Sequence, residues 1–130
     1  MNLNLLTVCI VIMGTTYCVR DGMAKIARTV FLSDKKTAEV YLVPGRTTIL
    51  NFPSRPLKVI LGNQGLFAVE YVESDLAVSP LRASAKSNLF VYLEGRRFGF
   101  DLKTVSQGGD EIIVIRDAAD QKVRMRIKDE

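Results

Sequence analysis

Four consecutive residues near the carboxyl end of the chain could take part in chemistry. Val105 to Val114 reads VSQGGDEIIV, and within it Gly108-Gly109-Asp110-Glu111 places two adjacent carboxylates directly after two glycines. The same four letters occur in enzymes that join two GTP molecules into a cyclic dinucleotide. The stretch raises the question whether this chain is such an enzyme or whether these four residues only form a turn of the backbone.

The sequence around this motif favours a turn. The dinucleotide-forming enzymes have phenylalanine at the fifth position, where this chain has Ile112. Their motif also lies in a much longer α/β domain with metal- and nucleotide-binding positions upstream. No βαβ pattern precedes Gly108, and a motif indicates function only in its structural context. Because two glycines permit a tight reversal and Asp110 tolerates turn geometry, we predict a corner before an apolar strand and no catalysis.

The other residue types give little support to enzymatic chemistry. The chain has no histidine, which excludes Ser-His-Asp and Cys-His catalysis and histidine-ligated zinc. The carboxylates that remain as acid–base candidates are Glu70, Glu73, Asp75 and Asp101. Nothing in their spacing forces two of them to flank a cleft, as glycoside hydrolysis requires. We therefore predict that the chain is not an enzyme and has no catalytic, cofactor-binding or metal-binding residues.

Basic residues form the candidate binding surface. The late stretch KVRMRIK alternates, so as a strand it would turn its apolar residues inward and leave a basic row outside. The predicted partner-binding residues are this row and two earlier arginines: Arg96, Arg97, Lys122, Arg124, Arg126 and Lys128. They could contact an acidic partner, a phosphate headgroup or nucleic acid, or they could guard an edge strand against unwanted pairing. The net charge of +4 is too small to indicate nucleic-acid binding by itself.

Short strands separated by turns must position these residues. In TAEVYL the alternation places Ala38, Val40 and Leu42 on one face, and NLFVYL is apolar enough to predict a strand buried on both faces. The strand candidates are TAEVYL, TTILNF, PLKVIL, LFAVEYV, LAVSPL, NLFVYL, RRFGFDL, EIIVIRD and KVRMRIK. Their spacing, without a helix of useful length, predicts an all-β fold: a small antiparallel β-sandwich of about nine or ten short strands.

Three turns are specified by particular residues. Pro44-Gly45 predicts a type II turn, because proline fixes φ at the second position and glycine accepts positive φ at the third. Glu94-Gly95 predicts a tight connection, and AADQ, residues 118–121, predicts a short hairpin loop. Pro80 is expected to end its strand, since it cannot donate to a central ladder.

The start of the chain resembles an export signal. Met1 to Val19 contains no charged side chain, and its apolar stretch, Leu5 to Met13, has the length of a signal-peptide core. We predict a leader at residues 1–22 and a single β-sandwich domain at residues 23–130, located in the periplasm or cell envelope. If translation instead starts at Met23, the domain would be cytoplasmic. Both cysteines, Cys9 and Cys18, fall in the leader, so the folded part is predicted to lack disulfides.

One continuous block has a familiar order of features. From Val40 to Leu102 the chain contains VPGRTTILNFP, then VILGN, then LAVSPL, then SNLFVYLEGRRFGFDL. In this order the block resembles the N-terminal domain of the VirB-nine/TrbG family, and EIIVIRD stands where that family has its closing strand. Similar signals occur in conjugation TraK proteins and in the N-terminal domains of CpaC-type secretins.

The resemblance implies a function. VirB-nine/TrbG proteins are periplasmic subunits of the type IV secretion core complex, so the expected role is a structural, protein-binding subunit of a cell-envelope assembly. The expected partners are other secretion-complex subunits, with a possible homo-oligomeric ring, and no cofactor. Full family members continue into a second β domain, and this chain is expected to represent the ring-packing half. The alternative is a small cytosolic OB-like domain that starts near Met23 and binds nucleic acid through its basic strand.

Overall fold

The computed structural model describes residues 27–121 and 126, together with residues 10–12 and 15–17. Within these ranges the chain forms eleven strands. They are β1 (Ile10–Ile12), β2 (Thr15–Tyr17), β3 (Arg28–Leu32), β4 (Thr37–Leu42), β5 (Thr48–Asn51), β6 (Lys58–Leu61), β7 (Phe67–Val72), β8 (Asp75–Pro80), β9 (Lys86–Leu93), β10 (Arg96–Thr104) and β11 (Ile112–Asp117). Residues 118–121 are helical, as is residue 126. The predicted leader and both cysteines lie outside the described residues, apart from β1 and β2, which pair with each other.

The nine strands from β3 onward form two sheets. One has four strands in the order β4-β10-β9-β6, and the other has five in the order β3-β11-β5-β8-β7. Their facing sides share one hydrophobic core. The predicted all-β sandwich is therefore confirmed. Among the described residues, no helix has the length and apolar character needed to cross a membrane.

Both sheets contain parallel as well as antiparallel pairs, where the sequence predicted an antiparallel arrangement. β10 runs parallel to β4, and β11 runs parallel to both β3 and β5. From β3 to β11 the chain changes sheet six times, and only β7–β8 and β9–β10 are consecutive strands of one sheet. Two consecutive strands that lie in different sheets cannot pair with each other, so such strands pair with strands from distant parts of the sequence. Such crossovers permit parallel pairing, which a tight hairpin does not.

In the described strands, the alternating side chains predicted to face inward are buried. This holds for Ala38, Val40 and Leu42 in β4, and the aromatic rings at the centre pack on one another. The ring of Phe52 stacks on Phe98 with centroids 6.2 Å apart and meets the edge of Phe100 at 5.9 Å. Full burial of one such side chain contributes about 1.5–3 kcal/mol, so these rows determine which face of each strand turns inward.

Other local predictions were wrong. β9 is buried on one face: Leu89 and Val91 are inaccessible, whereas Phe90 and Tyr92 are half-buried on the other side. Residues 118–121 are helical instead of forming a hairpin loop, and Arg126, inside the predicted last strand, is helical too. The rest of that predicted strand lies outside the described residues. β3 was not among the predicted strands, and its pairing partner β11 is remote in sequence.

The predicted type II turn is present at the end of β4. Gly45 has a φ of +83°, and the backbone N–H of Arg46 donates to the carbonyl of Val43 at 3.0 Å. The Glu94-Gly95 turn joins β9 to β10 with Gly95 at a φ of +71°. Both glycines occupy the left-handed region, which is strained for other residues.

Candidate protein-binding surfaces

The Gly-Gly-Asp-Glu motif lies in the loop that carries the chain from β10 to β11. Those strands belong to different sheets, so the motif crosses the sandwich and does not form the tight reversal that the sequence predicted. Gly108 has a φ of +72° with open space around it. Gly109 serves another purpose: a Cβ there would lie 2.6 Å from Cγ2 of Val43 and 3.1 Å from the carbonyl oxygen of Tyr41. The second glycine therefore lets the loop pack closely against β4.

Asp110 forms hydrogen bonds that connect this loop to both sheets. Its backbone N–H donates to the carbonyl of Tyr41 at 2.7 Å, and its Oδ2 accepts the N–H of Tyr41 at 2.9 Å. Its own carbonyl accepts the hydroxyl of Thr48 at 2.7 Å. Tyr41 belongs to the four-stranded sheet and Thr48 to the five-stranded sheet. The residue that suggested catalysis is therefore a structural link between the two layers.

Arg28 completes the link from β3. Its Nε and Nη2 donate to the two carboxylate oxygens of Asp110, each at 3.2 Å, and Nη2 also donates to the carbonyl of Glu39 at 2.9 Å. The neighbouring Glu111 accepts a hydrogen bond from Arg46 at 2.7 Å. Both carboxylates of the motif thus contact arginines, an arrangement that stabilises the corner. Sequence analysis had no signal for these partners, since Arg28 is 82 residues from Asp110.

The other acid–base candidates do not form a catalytic arrangement. Glu70 and Glu73 lie near the β7–β8 turn, Asp101 lies on the outer face of the other sheet, and Asp75 accepts a hydrogen bond from the Asn51 amide at 2.6 Å. Within the described residues, no group of three or more His, Cys, Asp or Glu side chains could hold a metal ion.

The two earlier arginines lie next to each other in β10 but have separate partners. Arg96 donates to Asp117 at 3.3 Å, and Asp120 lies 4.0 Å away. Arg97 donates to the carbonyl of Asp34 at 3.3 Å and lies over the ring of Phe90, 5.9 Å from its centroid. Such partners hold these side chains to the protein's own surface.

The remaining predicted binding residues are not assembled into a row by the described part of the chain. Arg126 is helical and exposed. Lys122, Arg124 and Lys128 lie outside the described residues. The basic row thus stays a prediction.

Two open grooves have walls of mixed charge. One, of about 710 Å³, lies at the end of the sandwich beside Arg96, Arg97 and Asp117. The other, of about 450 Å³, lies on the outer face of the four-stranded sheet between Glu39, Lys103 and neighbouring residues. In the second groove the Glu39 carboxylate accepts a hydrogen bond from the Tyr41 hydroxyl, which raises the pKa of Tyr41. Neither groove presents one sign of charge.

One sheet edge is covered by polar groups. β4 is an edge strand, and its Leu42 carbonyl accepts a bond from Val105, which continues β10. Backbone groups alternate in direction along a strand, so those of Tyr41 and Glu39 point away from β10. Asp110 occupies both backbone groups of Tyr41, and Arg28 occupies the carbonyl of Glu39. We call β4 with Asp110 and Arg28 the sealed edge.

The other margin of the sandwich differs. It consists of the edge strands β6 and β7, which are joined by residues 62–66. Among residues 27–121, six large hydrophobic residues are highly exposed, and five of them lie on or beside these strands: Leu57, Ile60, Tyr71, Val72 and Leu81. The sixth is Ile112, in β11. We call this margin, with its five exposed residues, the open side. It is the feature that best fits contact with another protein, because it carries most of the large apolar side chains that the described residues expose.

No protein-family model matches the chain, and no curated protein matches its sequence.

Proposed function

We propose that this chain is a non-enzymatic, protein-binding subunit of a cell-envelope assembly, most similar to the type IV secretion core-complex subunits of the VirB-nine/TrbG family. The observation that carries the proposal is the open side. There, two edge strands have no strand partner on their outer side among the described residues, and exposed apolar side chains lie on or beside them. A partner can add a strand to such an edge, gaining main-chain hydrogen bonds for affinity and side-chain contacts for specificity.

The sealed edge supports the same proposal. Edge strands tend to pair with other chains unless charged side chains or loops cover them. In this protein Asp110 and Arg28 bind both backbone groups of Tyr41 and the carbonyl of Glu39, so strand addition at β4 is disfavoured. The exposed apolar residues favour partner binding at β6 and β7. This selectivity suits a subunit that must meet its neighbours in one orientation.

The resemblance to the VirB-nine/TrbG family indicates the kind of assembly to which we propose that this chain belongs. Its features are turn and core signals, and one of them, the Pro44-Gly45 turn, has the backbone conformation that the sequence predicted. The apolar leader that the sequence predicts would carry the chain to the periplasm. The partners that we propose are therefore other envelope secretion subunits.

The nucleic-acid alternative receives no comparable support. An OB fold is a five-stranded, partly open barrel, whereas β3 to β11 form sheets of four and five strands. The basic strand on which that alternative depends is helical at Arg126.

The experiment is purification of the tagged chain from the envelope of the organism that encodes it, with crosslinking and mass spectrometry. We expect a mature N-terminus after removal of the leader, and co-purification of a secretion ATPase or a channel scaffold. Matched variants locate the contact. Ile60→Asp, on the open side, should lose these partners, and Ile112→Asp should keep them, because the two isoleucines are similarly exposed at 44% and 47%.

Two results would contradict the proposal. One is a cytosolic protein that starts at Met23. The other is partner recovery that Ile60→Asp leaves unchanged while the variant remains folded by circular dichroism.

A further inference from the structure

We propose that the outer face of the five-stranded sheet packs on the same face of a second copy of this chain, with a two-fold axis that runs along β5. The outer face is the side of this sheet that points away from the core. Among the strand residues of the open side, only Val72 lies on this face. The inference therefore goes beyond the proposed function and does not depend on it.

The outer face of the five-stranded sheet is apolar at its centre. Side chains alternate along a strand, so the residues between the buried ones point outward. Six outward residues of this sheet are apolar: Phe31, Ile49, Val72, Ala77, Ile112 and Val114. Ile112 and Val72 are 47% and 50% exposed. We call these six residues the apolar face.

The strand directions of this sheet favour a cover on the apolar face. β11 runs parallel to both of its neighbours, β3 and β5. Parallel strands are normally covered on both faces of the sheet and carry apolar residues on both sides. β11 has this composition, because Ile113 and Ile115 are buried in the core while Ile112 and Val114 point outward.

The connections of this sheet lead away from the apolar face. Apart from the β7–β8 turn, each connection between β3 and β11 that starts or ends in this sheet crosses to the four-stranded sheet. The helical residues after β11 also turn toward that sheet, since Asp120 lies 4.0 Å from Arg96 of β10. Within residues 27–121, the chain thus supplies no layer for this face.

Charge complementarity identifies a second copy as the occupant. Arg116 is half-buried at the margin of the apolar face, and its Nη1 donates to the side-chain oxygen of Asn51 at 3.2 Å and to the carbonyl of Ile115 at 2.7 Å. Within residues 27–121, no carboxylate forms an ion pair with Arg116. Its Nε and Nη2 can therefore bind a carboxylate from outside, which a guanidinium holds with two parallel hydrogen bonds.

An acidic residue lies at the matching place on the other side of β5. β11 and β8 are the two neighbours of β5, and Val114 of β11 is level with Asp75 of β8, because both pair with Asn51. Beyond these two residues in the same direction lie Arg116 on one side and the β7–β8 turn, with Glu73, on the other. Glu73 is exposed, and it forms no hydrogen bond or ion pair within residues 27–121.

A two-fold axis along β5 exchanges the positions of β11 and β8. Each Arg116 then faces Glu73 of the second copy, so the dimer contains this ion pair twice. The same rotation sets Ile49 opposite Ile49 and Ile112 opposite Ala77. Packed sheets lie about 10 Å apart, a distance that Arg116 and Glu73 together can span. Because both copies contribute the same residues, the contact closes as a dimer.

Sedimentation equilibrium of the mature protein over a range of concentrations measures the dimer Kd. Ile112→Asp places a charge at the centre of the contact and should raise Kd at least about 100-fold. Ile60→Asp is the matched control, because Ile60 is similarly exposed, at 44%, on the outer face of the other sheet. It should leave Kd unchanged, and circular dichroism should show that both variants fold.

A charge exchange tests whether the partner is a second copy. Arg116→Glu and Glu73→Arg each place like charges opposite one another at two points, so each should raise Kd by about 10- to 100-fold. Combined in one chain, they exchange the charges and should restore Kd to within about threefold of wild type. A different partner protein would keep its own charge and would not be rescued. Glu94→Arg, in the exposed β9–β10 turn, is the control and should leave Kd unchanged.

A wild-type protein that stays monomeric to about 1 mM overturns the inference. So does a dimer that Ile112→Asp and Ile60→Asp weaken equally, or one that the combined charge exchange fails to restore. A monomer in which Ile112→Asp removes the envelope partners would assign the apolar face to another protein and also overturns it. The proposed function depends on the loss of partners in Ile60→Asp, which none of these results measures, so the two failures can be told apart.

Discussion

The sealed edge and the open side are margins of the same sandwich with opposite surface chemistry. At the sealed edge Asp110 binds both backbone groups of Tyr41, and Arg28 binds the carbonyl of Glu39. At the open side β7 leaves its outward groups unbound within residues 27–121, and Tyr71 and Val72 are half-exposed. The difference shows how an all-β domain can keep one edge from pairing while it leaves another ready to pair.

The loops beside the two margins account for much of this difference. The β10–β11 loop is long enough to cross from one sheet to the other and brings Asp110 against β4. The β6–β7 loop directs its polar groups to itself and to β9: the side-chain oxygen of Asn63 accepts the N–H of Gly65, and the hydroxyl of Ser87 in β9 accepts the N–H of Asn63. It therefore completes its own turn and does not reach over either strand.

The largest effect on stability is expected from removing the Asp110 side chain, which binds the edge of β4. Asp110→Ala should lower the free energy of unfolding by about 2–3 kcal/mol, because it removes charged hydrogen bonds and leaves the N–H of Tyr41 without its acceptor. The Asp110 side chain is only 16% exposed, so solvent compensates little. Urea denaturation measures the change. The control is Asp101→Ala, an exposed carboxylate on the outer face, which should stay within about 0.5 kcal/mol of wild type.

Asp110→Ala should also make the sealed edge resemble the open side. The bared β4 edge can then pair with other chains, so light scattering should show concentration-dependent association. If Asp110→Ala is as stable and as soluble as Asp101→Ala, the contrast between the two margins has another cause.

A smaller effect is expected at the two glycines that bring Asp110 into place. Gly109→Ala should destabilise by about 1–3 kcal/mol, since the new methyl group would overlap Val43 and the variant is an overpacking change. Gly108→Ala should cost about 1–2 kcal/mol for backbone reasons alone, because its φ is +72° and the space around it is open. Crystal structures of the variants separate the two causes: Val43 moves in the first and stays in place in the second. A neutral Gly109→Ala would show that close packing of this loop is unnecessary.

The smallest effect concerns the titration of Tyr41 beside the sealed edge. Its pKa is raised by the hydrogen bond to Glu39, then by the negative charge of Glu39, with burial and Asp110 adding to the effect and Arg28 opposing it. Glu39→Gln should move the pKa of Tyr41 back toward its ordinary value, as followed by ultraviolet titration of tyrosinate with Tyr41→Phe as the reference.

The raised pKa of Tyr41 determines how its contribution to stability changes with pH. The neutral phenol stabilises the folded form fully below the unfolded-state pKa, and this contribution is lost as pH rises through the folded-state pKa. An unchanged Tyr41 titration in Glu39→Gln would remove Glu39 as the cause.

Much of the fold could be predicted from local sequence. Alternation identified the buried faces of β4, β5 and β10, and the pair Pro44-Gly45 identified its turn, because each depends on neighbouring residues only. β3 was missed, since Arg28 to Leu32 becomes a strand through pairing with β11, far along the chain. β9 was misjudged because apolar composition alone does not show which face another layer covers.

The candidate site was less predictable than the fold. The basic residues stood out in the sequence, yet Arg96 and Arg97 bind groups on the protein's own surface. The open side was not anticipated, because neither an unpaired edge nor the exposure of Tyr71 can be inferred before the strand order is known. Its sequence signal is limited to apolar residues that depart from strict alternation, as at Tyr71 and Val72.

The sequence by itself determined that this chain is an all-β protein with alternating strands and a glycine-rich corner, because side-chain periodicity and glycine's backbone freedom act over a few residues. Only the tertiary structure decided that Asp110 links two sheets and that, among the described strands, β7 lies at an edge. Both depend on which distant strands become neighbours, and that is settled by packing of the whole core.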